Sequence, residues 1–261
     1  MSGRTSRLCF LAASALAVAA CTAAAIAECI GMSSMGSMPM PGGWHMSMIW
    51  MRMPTQTWPG AAASFLSMWL VMMAAMMLPS LLPVLRRYHR QIQHGDARHA
   101  GARTLLMAAG YFLVWAVLGA LIYGMGIALA TVAMRWPMLA RIAPLAAGMI
   151  VLGAGALQFT RWKAHHLAGC RALPDCCQRL RANTAAVWRY GVQHGIRCCH
   201  CCAGLTAILL VAGVMDLRAM ALVTAAITAE RLAPAARPVA WLIGIAAMGA
   251  GIGLLAQAAW A

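Results

Sequence analysis

The chain has 261 residues, 63% of them apolar, with twenty Lys/Arg and five Asp/Glu. A soluble domain carries about 25% charged residues, so this chain has too few to keep a water-facing surface wet. A disordered chain is excluded for the opposite reason, since it would need low hydrophobicity. The composition reads as an all-α, polytopic transmembrane helix bundle, and at about 20 apolar residues per span the length holds six to seven spans. The net charge of +15 would elsewhere suggest nucleic acid. In a membrane protein it reflects Lys/Arg loops facing the cytoplasm, and no nucleic-acid partner is expected.

Arg4 and Arg7 precede an apolar run over 8–30. Residues 1–30 therefore read as a signal anchor or a first transmembrane helix. Ala25-Ile26-Ala27 fits a cleavage box, but the run has no polar break, which favours a retained helix. Residues 31–61 are rich in Met, Gly and Pro with little helical periodicity, and read as a periplasmic loop. The remainder, 62–261, reads as one metal-binding transmembrane domain. Its expected spans cover 62–85, 104–130 and 142–159, with Pro79 and Pro83 near the inner end of the first. A Cys/His-rich cytoplasmic segment follows over 160–202. Two short spans turning near Asp216 are expected within 201–229, and a last span over 239–259. With the N-terminus cytoplasmic and seven spans, sixteen of the twenty Lys/Arg fall inside, as the positive-inside rule asks.

Two excesses then stand out: 22 methionines and ten cysteines. The loop over 31–61 carries Met32, Met35, Met38, Met40, His45, Met46, Met48, Met51 and Met53, a thioether every two or three residues. Thioethers are neutral and soft, which suits Cu(I), and outside the cell they do not pair into disulfides as cysteines do. Within the next span Met68, Met72 and Met76 are spaced i, i+4, i+8 and share one helical face, with Met73 and Met77 beside them. That stripe suits a soft-cation path without a buried formal charge. Core packing explains the same spacing equally well.

The cysteines concentrate downstream. His166 and Cys170 are followed by His194, Cys198, Cys199, His200, Cys201 and Cys202. His194 and Cys198 are i, i+4, and Cys198-x-x-Cys201 has the spacing of a two-thiolate metal clip. In a reducing compartment these stay thiols, and a nearby cation such as Arg197 favours the metal-binding thiolate. Structural zinc and a redox CxxC pair are the competing readings. Asp216 reads as a helix cap, and Glu230 with Arg231 as a helix-end ion pair.

Several separated blocks, taken in order, resemble a known family. They are Met68-Trp69, Met72-Met73-Ala74-Ala75-Met76-Met77-Leu78-Pro79-Ser80, Leu157-Gln158 with Lys163 and Cys170, and Gly191-x-x-His194-Gly195-x-x-Cys198-x-x-Cys201-Cys202. Gly213-Val214-Met215-Asp216-Leu217, Glu230 and Pro234 complete the set. On these residues the chain is similar to the bacterial predicted metal-binding integral membrane proteins of unknown function, sometimes labelled copper chaperones. The resemblance implies His194, Cys198, Cys201 and Cys202 as metal ligands in a multi-pass protein of the bacterial inner membrane. This chain departs from the family in having His166 where a cysteine is usual, Ala203 where an aromatic is usual, and Cys199 and His200 as extra donors.

The expected function is binding, chaperoning or translocation of copper(I), with zinc as the second candidate metal. The expected partners are the bilayer, the metal ion, and a cuproenzyme or membrane complex. The alternatives are a membrane thiol oxidoreductase using Cys198 and Cys201, or a structural subunit with a zinc-bound loop. No hydrolase, P-loop or dinucleotide motif is present.

Overall fold

The computed structural model describes residues 3–33, 36–51, 56–93, 99–171 and 183–260. Nearly all of them are helical. The helices are α1 (Gly3–Ser33), α2 (Trp58–Gln93), α3 (Ala100–Arg135), α4 (Pro137–Arg141), α5 (Ala143–Leu157), α6 (Arg161–Arg171), α7 (Thr184–Ala212), α8 (Leu217–Leu232) and α9 (Ala236–Trp260).

Five of these, α1, α2, α3, α7 and α9, are long and apolar enough to cross a membrane. A sixth span arises if α5 and α6, bent by 67° at their junction, count together. The structure thus sits at the low end of the sequence estimate, because α8 has only 16 residues. Large apolar side chains such as Leu105, Leu121, Leu222 and Leu242 remain exposed around the bundle, as expected of surfaces that face lipid rather than water. The chain break near Asp216 is real: Gly213 adopts a left-handed φ of +112°, and the Asp216 carboxylate accepts from the Arg218 and Ala219 amides. This is an N-cap that starts α8.

Two expectations change. The stretch after α1 is not simply a loop, since Ser37–Met40 (β1) and Trp44–Ser47 (β2) pair antiparallel, Met38 opposite Met46 and Met40 opposite Trp44. A period of two, not 3.6, organises these residues, and Gly42 and Gly43 turn the hairpin at positive φ. Part of the segment expected to be cytoplasmic also falls within a helix long enough to span: residues 184–197 are the first half of α7, so Cys198 sits midway along a 29-residue helix.

α3 and α7 pack closely because glycines face the contact. A Cβ at Gly191 would collide with the Met107 carbonyl oxygen, and one at Gly195 would lie 2.9 Å from the Tyr111 carbonyl oxygen. Small residues at such crossings let backbones approach without a water-driven force. The close approach sets α3 side chains directly against the cysteine face of α7.

Candidate metal centre

On α7 the positions 194, 198, 201 and 202 recur at intervals of four, three and one, which places them on one helical face. All four are buried, with Cys198 fully enclosed. Cys199 lies half-buried beside that face and His200 is exposed. The local rule that groups the buried four therefore also separates the two extra donors from them.

Neighbouring helices complete the surroundings of Cys198. From α3, the Tyr111 hydroxyl shares a hydrogen bond of 2.9 Å with its Sγ. From α2, Met77 Sδ lies 4.0 Å from the same sulfur. From α8, Arg231 Nη2 donates to Cys198 Sγ at 2.6 Å and approaches Cys202 at 3.6 Å and Cys170 at 3.9 Å. Its Nη1 donates to Ser80 Oγ at 2.9 Å. Cys198 and Cys202 lie one turn apart on α7, and Cys170 of α6 shares with them the Arg231 Nη2 group. The thiols of Cys198, Cys202 and Cys170 thus gather around one guanidinium, with Cys201 buried beside them on α7, as a row that crosses between two helices. Arg231 contacts Cys198 and Cys202 rather than Cys198 and Cys201, so the helix turn of four outranks the CxxC spacing.

Charge balance gives this row its chemical character. Lys163 Nζ, on α6, pairs with Glu230 Oε2 at 2.7 Å and donates to the Cys201 carbonyl oxygen at 2.7 Å. Both side chains of the pair are almost fully enclosed. Glu230 is therefore the partner of Lys163, not of its neighbour Arg231, because consecutive residues on a helix point about 100° apart. Among the described residues, Arg231 is left with one hydroxyl and three sulfurs around a permanent cation. A buried guanidinium is costly without a compensating anion, and the sulfurs are the groups placed to provide it.

The remaining expected ligands lie elsewhere. His194 is buried one turn before Cys198, its ring 5.8 Å from that of Tyr111 and 6.0 Å from that of Tyr190. His166 and His200 meet at 4.9 Å around Trp162, outside the thiol row. Among the described residues no three His, Cys, Asp or Glu side chains converge as metal ligands do. One closed Cys/His cage is therefore not what these residues form: the donors split into a buried thiol row and a half-exposed histidine group.

The methionines divide in a similar way. Met68, Met72, Met73, Met76 and Met77 are all buried, and Met77, from beside the expected stripe, reaches the Cys198 thiol. In the hairpin, Met40 and Met46 are buried against Ala130 and Ala140, with Met38 and Met51 packed around them. These thioethers are core of a small satellite cluster. Met32 and Met48 are half-buried and His45 is exposed, while Met35 and Met53 lie outside the described residues.

Arg231 and Tyr111 are the functional candidates that sequence reasoning passed over, and Met77 was placed only beside the stripe. Arg231 carried the only available signal, a basic residue directly after Glu230 within an apolar region. A cleft of about 200 Å³, lined by Ser80, Val84, Arg87, Cys170, Arg171 and Arg231, reaches the row from the basic end of α2.

A family model described as copper chaperone, PpoB2, matches residues 66–254. That interval spans α2 to α9 and contains every residue of the thiol row. No curated protein and no solved structure matches the chain.

Proposed function

The chain belongs to the copper chaperone family PpoB2, and on that premise we propose that it is an integral membrane protein that holds Cu(I) in its buried thiol row. The observation that carries this reading is the placement of Cys198 against Met77 and Arg231, with Cys202 facing the same guanidinium. Cu(I) takes two to four soft ligands with little imposed geometry. Two thiolates and a thioether on three helical positions meet that need. A bis-thiolate Cu(I) unit carries one negative charge, and the Arg231 guanidinium supplies the one positive charge that neutralises it inside an apolar bundle. Zn(II) on the same two thiolates is already neutral and gains nothing from the arginine.

The buried methionines of α2 lead along the helix toward Cys198 and serve as the internal path. The cleft at the basic end is the exit, where a recipient protein reaches Cys170 and Arg231. In the bacterial inner membrane, with the basic end cytoplasmic, the metal is handed on in the reducing compartment. The test is copper analysis of the purified full chain beside the Cys198→Ser/Cys202→Ser variant. We expect one Cu(I) to be lost with the two thiols. Equal copper in both proteins removes the row from the proposal, and a reversible disulfide in place of bound copper favours thiol redox chemistry instead.

A further inference from the structure

A second meeting of sulfurs lies apart from the thiol row. Cys29, near the end of α1, is buried, and its Sγ lies 3.6 Å from Met220 Sδ and 3.8 Å from Met215 Sδ. Met215 belongs to the turn between α7 and α8, and Met220 to the first turn of α8. Three soft donors thus come together from segments nearly 190 residues apart in the chain.

The surroundings also favour a cation. The carboxylates of Glu28 and Asp216 lie within electrostatic reach of the Cys29 thiol, and both residues are exposed. They are two of only five acids in a chain of net charge +15. An acidic rim over buried sulfur is the arrangement that draws in a soft monovalent ion and then desolvates it.

Helical rise also relates the height of this site to the methionine stripe. α1 and α2 run antiparallel, with Phe10 stacked on His89 at 4.6 Å. Equal helical rise from that contact brings Cys29 level with the turn holding Met68 and Met72. From Met68 to Met77, which touches Cys198, the helix advances by about 14 Å.

We propose that Cys29, Met215 and Met220 form an outer site for a soft monovalent cation, Cu(I) or Ag(I), from which the α2 methionines lead to the thiol row. Binding replaces the Cys29 thiol proton with the metal ion and releases that proton to water, so the thiolate and the cation leave no net charge in the bundle. The metal's identity as copper rests on the reading above, whereas the site itself rests on the three sulfurs.

The test counts Ag(I) retained by the full chain in detergent after gel filtration. We expect C29S and M215L/M220L each to hold one ion fewer than the unaltered protein. Both variants should keep the ion that C198S/C202S loses. Leucine nearly matches methionine in volume, so M215L/M220L preserves the packing. Unchanged silver in C29S and M215L/M220L overturns the outer site, as does a loss confined to C29S. A loss only in those two variants, with C198S/C202S unaffected, supports the outer site and removes the thiol row. X-ray absorption of C198S/C202S loaded with one Cu(I) should show three sulfur neighbours, and nitrogen or oxygen neighbours in their place overturn the proposal.

Discussion

Arg231 Nη2 stands 2.6 Å from Cys198 Sγ, closer than the Tyr111 hydroxyl at 2.9 Å or Met77 Sδ at 4.0 Å. The two residues lie on different helices, 33 positions apart. A charged donor on sulfur in an enclosed site has consequences for both metal binding and stability.

Replacing Arg231 by Gln keeps a donor but removes the charge that balances a bis-thiolate metal. Hydrogen bonds involving a charged group contribute about 1.5–3 kcal/mol, so Cu(I) affinity should fall on the order of 10- to 100-fold. Competition with a chromogenic Cu(I) chelator measures it. An affinity unchanged within twofold would show that the guanidinium plays no part in holding the metal.

Loading the row should also release protons, because both ligand thiols must ionise. About two protons per Cu(I) are expected from the C29S variant, whose outer site is blocked. A weakly buffered titration with a pH indicator reads the count, and proton-free binding would point to thioethers alone.

The Lys163–Glu230 pair is enclosed on both sides, so losing one partner strands the other. Glu230→Gln or Lys163→Met should each cost about 3–5 kcal/mol. The paired change Lys163→Met/Glu230→Leu removes both charges and should recover most of that loss. Thermal unfolding of the three proteins in detergent checks the pattern, and additive losses in the double variant would contradict it.

At the α3–α7 crossing, Gly191→Ala inserts a methyl against the Met107 carbonyl. The helices must separate, at about 1–3 kcal/mol, and Tyr111 moves off Cys198. A lowered melting temperature together with weaker Cu(I) binding is expected. Normal binding at a lowered melting temperature would show that the crossing supports the fold but not the site.

In the hairpin, Met40 and Met46 pack against helix ends. Met40→Leu/Met46→Leu should change stability by less than about 1.5 kcal/mol and leave bound copper unaltered. A lost equivalent of copper would return these two thioethers to the list of ligands.

Local pattern went far with α7. The spacing of 194, 198, 201 and 202 places those residues on one face by helical periodicity alone, and the face is buried as that grouping suggests. Asp216 as a cap was equally legible, since its side chain bonds amides two and three residues ahead. The hairpin was not: a four-residue strand offers only two repeats of its period, and the glycines and prolines around it resemble an irregular loop. The pairing of Glu230 was misread because neighbours in sequence diverge around a helix.

Composition, apolar run lengths and the ordered Met, His and Cys blocks were sufficient to establish a membrane-type helical bundle and its copper chaperone family. Those properties depend on counts and on spacing within single segments, which a one-dimensional string contains in full. The tertiary structure decided which sulfurs meet. Met77 with Cys198, Arg231 with three thiols and Cys29 with two thioethers all join different segments. Their contacts depend on how closely glycine-lined helices approach and which faces they turn inward, and no spacing within one helix encodes that.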